Sequence, residues 1–209
     1  MTRLPEPWFG MYERRKTAIL ERLQDFASVK QERYFYELAY CILTPQSSAK
    51  HAALTIAELE RDRFFEVGFD PTTYLRDPKH YIRFHNVKAK RLLHARENFG
   101  LLESKLQQRP DSSQELRALV LQSVPGLGMK EASHFLRNIG VRGLAILDRH
   151  IYKHLTRLEV IPEPPKTGPT VKRYLAMEAA WLEFSLGVGI SLDELDLLFW
   201  SMETGEILK

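Results

Sequence analysis

Lys130 follows two closely spaced glycines, in Val124-Pro125-Gly126-Leu127-Gly128-Met129-Lys130, and Asp148 stands eighteen residues later at the head of Asp148-Arg149-His150. A primary amine can attack an electrophilic carbon once it has lost its proton, and a carboxylate can stabilise the positive charge that develops there. The glycines lack a Cβ, so backbone at Gly126 and Gly128 is free to take φ > 0 or to let a phosphate come close. A helix starting at Gly128 would aim its free N–H groups and the positive end of its dipole at the hairpin, a ready place for an anion. The same field disfavours an ammonium in the first turn and so pushes Lys130 toward its nucleophilic form.

The elements that must hold these groups are helices. Ser112-Ser113-Gln114-Glu115 reads as a capping box, followed by Leu116, Leu119, Val120 and Val124 on one face. After the glycines, Met129 to Asn138 carries Ala132, Phe135 and Leu136 at helical spacing, and Gly140 is placed to end the helix. Asp148 precedes Ile151, Leu155 and Leu158 at i, i+4 and i+7, so it is predicted to be an N-cap. On the hairpin alone, a module that merely binds DNA, with Lys130 as a phosphate contact and Asp148 as a plain cap, stays open.

These residues resemble the helix-hairpin-helix GPD superfamily of DNA glycosylases, in which a Pro-Gly-x-Gly-x-Lys hairpin precedes Asp-x-His at this spacing. Two further stretches extend the likeness, Thr44-Pro45-Gln46 and Asn86-Val87-Lys88-Ala89. The ending, Leu195 to Lys209 with Thr204-Gly205 and a terminal lysine, resembles the short archaeal-type 8-oxoguanine DNA glycosylase/lyase branch. The resemblance implies that Lys130 attacks the sugar C1′ and expels the base, that Asp148 stabilises the cationic sugar, and that β-elimination follows. It also implies DNA contacts at Gly126, Gly128, Gln46 and His150, and a base-recognition role for Lys209. A relative acting on oxidised pyrimidines or alkylated purines remains the alternative substrate reading.

Composition narrows the class. A net charge of +3 with a pI near 8.9 is compatible with nucleic acid without requiring it. Cys41 is the only cysteine, which excludes an internal disulfide and the four-cysteine iron-sulfur cluster of the endonuclease III branch. Cys41 sits among Leu38, Ala39, Ile42 and Leu43 and reads as apolar filler. His150 and His154 share a helix face, yet no third ligand accompanies them, so no metal and no organic cofactor is expected. No apolar run approaches a membrane span, and a cytoplasmic protein is the expectation.

Helices are also expected over 11–26, 31–43, 49–61 and 171–186, the last broken by Gly187 and Gly189, with Ser191 to Glu194 capping one more. Residues 64–81 should form turns and at most one-turn helices. Of the basic residues Lys88, Lys90 and Arg91, at least one should be solvated. The expected protein is all-α, with one lobe of residues 31–133 ending in the hairpin and another of 1–30 plus 134–209. A DNA groove is expected between the lobes. The partner is double-stranded DNA containing oxidised guanine, bound by a monomer.

Overall fold

The computed structural model describes residues 3–108, 112–165 and 167–208. Among them are eleven α-helices, one 3₁₀ turn and no strand, as the all-α reading expects. The chain divides into two compact units, one of Met1–Val29 with Leu136–Lys209 and the other of Lys30–Phe135.

The Lys30–Phe135 unit is built around α2 (Tyr34–Leu43), in which every residue from Phe35 to Leu43 is buried. A helix apolar on all sides has to be surrounded. Helices α3 (Ala49–Arg61) and α6 (His85–Gln107) pack on it, and α7 (Ser113–Ser123) leans on α6. Cys41 is fully buried there. Single helical turns α4 (Phe64–Val67) and α5 (Thr72–Leu75) fill the connection between α3 and α6. Phe35 stacks on Phe65 at 4.6 Å between ring centres and meets the edge of Phe99 at 5.5 Å, which ties that connection to the core.

In the other unit α11 (Leu192–Thr204) touches α1 (Trp8–Ala27), α9 (Arg149–Arg157) and α10 (Val171–Val188). Helix α8 (Met129–Asn138) starts in the first unit and ends in this one. Gly140 closes it with φ +90°, while the N–H groups of Gly140 and Val141 return to the carbonyls of Arg137 and Leu136, both at 2.9 Å. A Cβ on Gly140 would lie 2.9 Å from Cα of Ala27, so the position admits no side chain. Arg137 pairs with Asp196 at 2.9 Å in the interior and lies over the Phe26 ring. The full reciprocal capping box forms at Ser191 and Glu194, and Ser112 accepts the N–H of Glu115 at 3.2 Å. Gly187 departs from expectation: it lies inside α10, which runs on to Gly189 at φ +69°. A helical glycine costs only about 1 kcal/mol relative to alanine, too little to end a helix packed on a core.

The segment leading to Asp148 has no regular structure, yet Leu144, Ala145, Ile146 and Leu147 are all buried. Buried peptide groups need partners, and an extended segment without a neighbouring strand has none of its own. Three side chains supply them. Asp193 accepts the N–H of Gly143 at 3.0 Å, and Glu178 accepts that of Ala145 at 2.8 Å. The Tyr174 hydroxyl accepts the N–H of Leu147 at 3.3 Å and donates to the carbonyl of Ala145 at 2.6 Å. Alternate residues are held, as alternate N–H groups of a strand would be. Burial pushes the Asp193 carboxyl up from its ordinary value, opposed by the Gly143 N–H and the charge of Arg142.

Tyr174→Phe leaves a buried N–H and a buried carbonyl unpaired without changing the ring. Unfolding in urea is expected to show a loss of about 1–3 kcal/mol. An unchanged midpoint would mean that the hydroxyl is not what holds the segment.

Candidate active site

The hairpin forms as its residues require. Leu127 N–H bonds the carbonyl of Val124 at 3.2 Å across Pro125 and Gly126, and Gly126 has φ +82°. Proline second and a positive-φ glycine third make a type II turn. A Cβ on Gly126 would lie 3.1 Å from the guanidinium of Arg91, which covers the turn from α6. Gly128 does not use the freedom to take positive φ. Its carbonyl accepts the first α8 bond, from Ala132 N–H at 3.0 Å, and its missing side chain leaves room for Glu131, whose Oε2 would be 2.8 Å from a Cβ.

Lys130 occupies the first turn of α8, half-buried, with its Nζ 3.5 Å from Glu131 Oε1. A carboxylate therefore lies beside the amine, in addition to the helix end.

Asp148 is the N-cap of α9, as its position ahead of the apolar stripe predicts. Its Oδ1 accepts the N–H groups of His150 at 2.8 Å and Ile151 at 2.9 Å. Its Oδ2 accepts the indole N–H of Trp200, from α11, at 3.0 Å. It is the backbone of His150 that meets Asp148; the ring stands edge-on to Trp200 with centres 6.0 Å apart. One turn later, His154 is buried and stacked on Phe199, its Nδ1 accepting the Trp8 N–H at 2.8 Å. That bond requires a bare Nδ1, so the proton belongs on Nε2, which faces Glu203 at 3.1 Å. Burial lowers the His154 pKa, against the raising effect of Glu203. Glu203 also takes Lys153 Nζ at 2.6 Å, so one carboxylate of α11 grips two residues of α9.

Gln46 is exposed and holds φ +56°, third in a turn closed by Ser47 N–H to Thr44 carbonyl at 3.0 Å. Beneath it lies a residue whose setting the sequence reading did not foresee. Lys88 is only 3% exposed, and its ammonium donates to the carbonyls of Leu43 and Pro45 at 2.6 and 2.7 Å and to Ser47 Oγ at 3.1 Å. The signal was present: Lys88 shares its face of α6 with Leu92, Ala95, Phe99 and Leu102 at helical spacing. The expectation that at least one of the three basic residues is solvated holds for Lys90 and Arg91, both exposed. Among aromatic candidates for contact with a base, Trp181 and Phe199 are fully buried core. Phe84 is 52% exposed at φ +58°, and Trp200 is half-buried. Lys209 lies outside the described residues. Among those described, no group of three or more His, Cys, Asp or Glu side chains could hold a metal ion.

A profile of the Ogg-HhH family, described as 8-oxoguanine DNA glycosylase, matches residues 19–190. An 8-oxoguanine DNA glycosylase/AP lyase of Fusobacterium nucleatum is 36% identical over 208 residues, which is 95% of this chain and 94% of that one. The crystal structure of the 8-oxoguanine DNA glycosylase of Thermotoga maritima aligns at TM-score 0.84 and 29% identity, over 97% of this chain and 96% of that one. The Methanocaldococcus jannaschii 8-oxoguanine glycosylase/lyase, in complex with 15mer DNA containing 8-oxoguanine, aligns at TM-score 0.79 and 29% identity. That match covers 96% of this chain and 98% of the other.

The setting of Lys88 makes a pH prediction. Burial, and then the charges of Arg91, Arg83 and Lys130, push its pKa down to about 8. The folded value lies below the unfolded one, so between the two the unfolded chain binds more protons and folding strengthens as pH rises. The cost of burying the charge is present in full below about pH 8 and is gone by about pH 10.5. Compared with Lys88→Met, the wild type should gain about 1–2 kcal/mol in urea unfolding between pH 7 and pH 9.5. Parallel pH dependences in the two proteins would remove the claim.

Proposed function

The chain belongs to the 8-oxoguanine DNA glycosylase family, and from that premise we propose that it excises 8-oxoguanine from duplex DNA and then cleaves the strand at the abasic site. The observation that carries this reading is a lysine in the first turn behind the hairpin together with an N-capping aspartate, inside a family match that spans 19–190.

A base inside a duplex is shielded by its neighbours, so the nucleotide must swing out at a cost of a few kcal/mol. Phosphate contacts offset that cost without reading sequence. The N–H groups at the start of α8, with Gly126 allowing close approach, suit one phosphate. Exposed Gln46 and half-buried His150 are further DNA contacts in this reading, and Lys209 recognises the damaged base.

Lys130 Nζ, as the free amine, attacks C1′ of the extruded nucleotide. The bond from C1′ to the base breaks, and the base leaves with that electron pair and gains a proton. Asp148 stabilises the positive charge on the sugar as the bond opens, which is the service a fixed carboxylate performs best. Ring opening gives the protonated Schiff base, loss of a C2′ proton breaks the C3′–O bond, and hydrolysis frees the lysine. Both groups come from one chain, and in this reading the protein acts as a monomer. It works in the cytoplasm, where a prokaryotic chromosome lies.

Lys130→Gln should yield no borohydride-trapped covalent complex and lower single-turnover excision by about 10³-fold or more. A trapped complex with that variant would exclude Lys130 as the nucleophile. A panel of single-lesion duplexes fixes the substrate, with 8-oxoguanine released fastest; preference for an oxidised pyrimidine would overturn the substrate and leave the chemistry standing. Asp148→Asn should slow excision by about 10²- to 10⁴-fold while DNA affinity stays near wild type, because the amide still caps α9 but carries no charge. An unchanged excision rate would remove Asp148 from the mechanism.

A further inference from the structure

The two oxygens of Asp148 are not equivalent. Oδ1 accepts two backbone N–H groups and has no lone pair left for substrate. Oδ2 accepts one bond, from the Trp200 indole, and keeps one lone pair. We propose that Trp200 is a positioning residue whose indole N–H fixes the rotation of the Asp148 carboxylate, so that the remaining lone pair of Oδ2 is the one presented to the sugar. This rests on the reading of Asp148 given above.

The cap bonds alone leave that rotation soft. The torsion that turns a carboxylate about its last carbon–carbon bond is broad, and two donors on one oxygen do not hold the other. The third donor does, provided that it cannot move. Trp200 is half-buried on α11 against the His150 ring, and α11 is tied to α9 through Glu203, which holds Lys153 at 2.6 Å and faces His154 at 3.1 Å. The chemistry of the donor matters as well. An indole N–H only donates, so it neither exchanges protons with the carboxylate nor competes for what the carboxylate must meet. A misplacement of about 1 Å in a reacting group can cost about 10²-fold in rate, so an oriented lone pair is worth a dedicated side chain.

The test separates the N–H from the ring. Trp200 is replaced by β-(3-benzothienyl)alanine, which puts sulfur where the N–H was, and separately by 7-azatryptophan, which keeps the N–H; both keep the bicyclic shape. Single-turnover release of 8-oxoguanine and affinity for the lesion duplex are measured for each. The benzothienyl protein is expected to lose about tenfold or more in rate with affinity within about twofold, and the aza protein to stay near wild type. A benzothienyl protein at the wild-type rate, equal losses in both analogues, or a rate loss matched by lost affinity would each overturn the assignment. Asp148→Asn run in parallel keeps the two ideas apart. If it retains the wild-type rate, the reading of Asp148 has failed. If it is slow while the benzothienyl protein is fast, only the role of Trp200 has failed.

Discussion

A buried, extended backbone with no strand beside it is the constraint that orders the unit carrying Asp148. Four successive residues, Leu144 to Leu147, are apolar and buried, so their side chains draw the chain into the core. Their peptide groups would be expensive there unless bonded, each unpaired group costing about 1–3 kcal/mol. The unit resolves this with Asp193, Glu178 and Tyr174, contributed by α11 and α10, in place of a neighbouring strand. The direction in which the chain arrives at Asp148 is therefore set by side chains from two helices at once. Asp148 then starts α9, and its carboxylate is held by that helix and by α11.

A buried ammonium in one unit and a buried imidazole in the other each sit under a part of the candidate site. Lys88 lies below the turn that carries Gln46, and Glu203 with His154 joins the helices on either side of Asp148. Such groups are poor sources of stability, since desolvation offsets much of what their bonds return. Lys88 illustrates the balance: three oxygen acceptors surround its ammonium, yet burial and neighbouring cations still depress its pKa to about 8. What the ammonium supplies is direction. Three donors on one atom fix the end of α2 and the turn after it more tightly than an apolar side chain of that size could.

The parts legible in the sequence were those decided within a few residues. Helical spacing around Phe135 and Leu136, Asp148 ahead of Ile151 and Leu155, and Ser191 three residues before Glu194 are local patterns, and each formed as read. Gly140 ended its helix because only a residue without a Cβ fits beside Ala27. The parts that escaped depend on distant partners. Nothing near Leu147 indicates that Tyr174 would serve its N–H, and nothing near Asp148 indicates the indole of Trp200. Lys88 is the intermediate case: its place on the apolar face of α6 was readable, but a charged residue is ordinarily assigned to water, and only the three acceptors explain why this one is not.

Strain falls in the same place as the buried ammonium. Gln46 and Phe84 both hold left-handed backbone, at φ +56° and +58°, where a side chain costs about 1–2 kcal/mol. Each is exposed, and the two are linked: Ser47, next to Gln46, accepts the N–H of Arg83, next to Phe84, at 3.0 Å. Ser47 also accepts from Lys88, so one hydroxyl and one ammonium hold both strained positions. A relaxed turn would be satisfied with glycine or asparagine at these sites, and the core does not need either side chain, because both face solvent. The backbone is held against its preference by groups beneath it while the side chains above it are exposed.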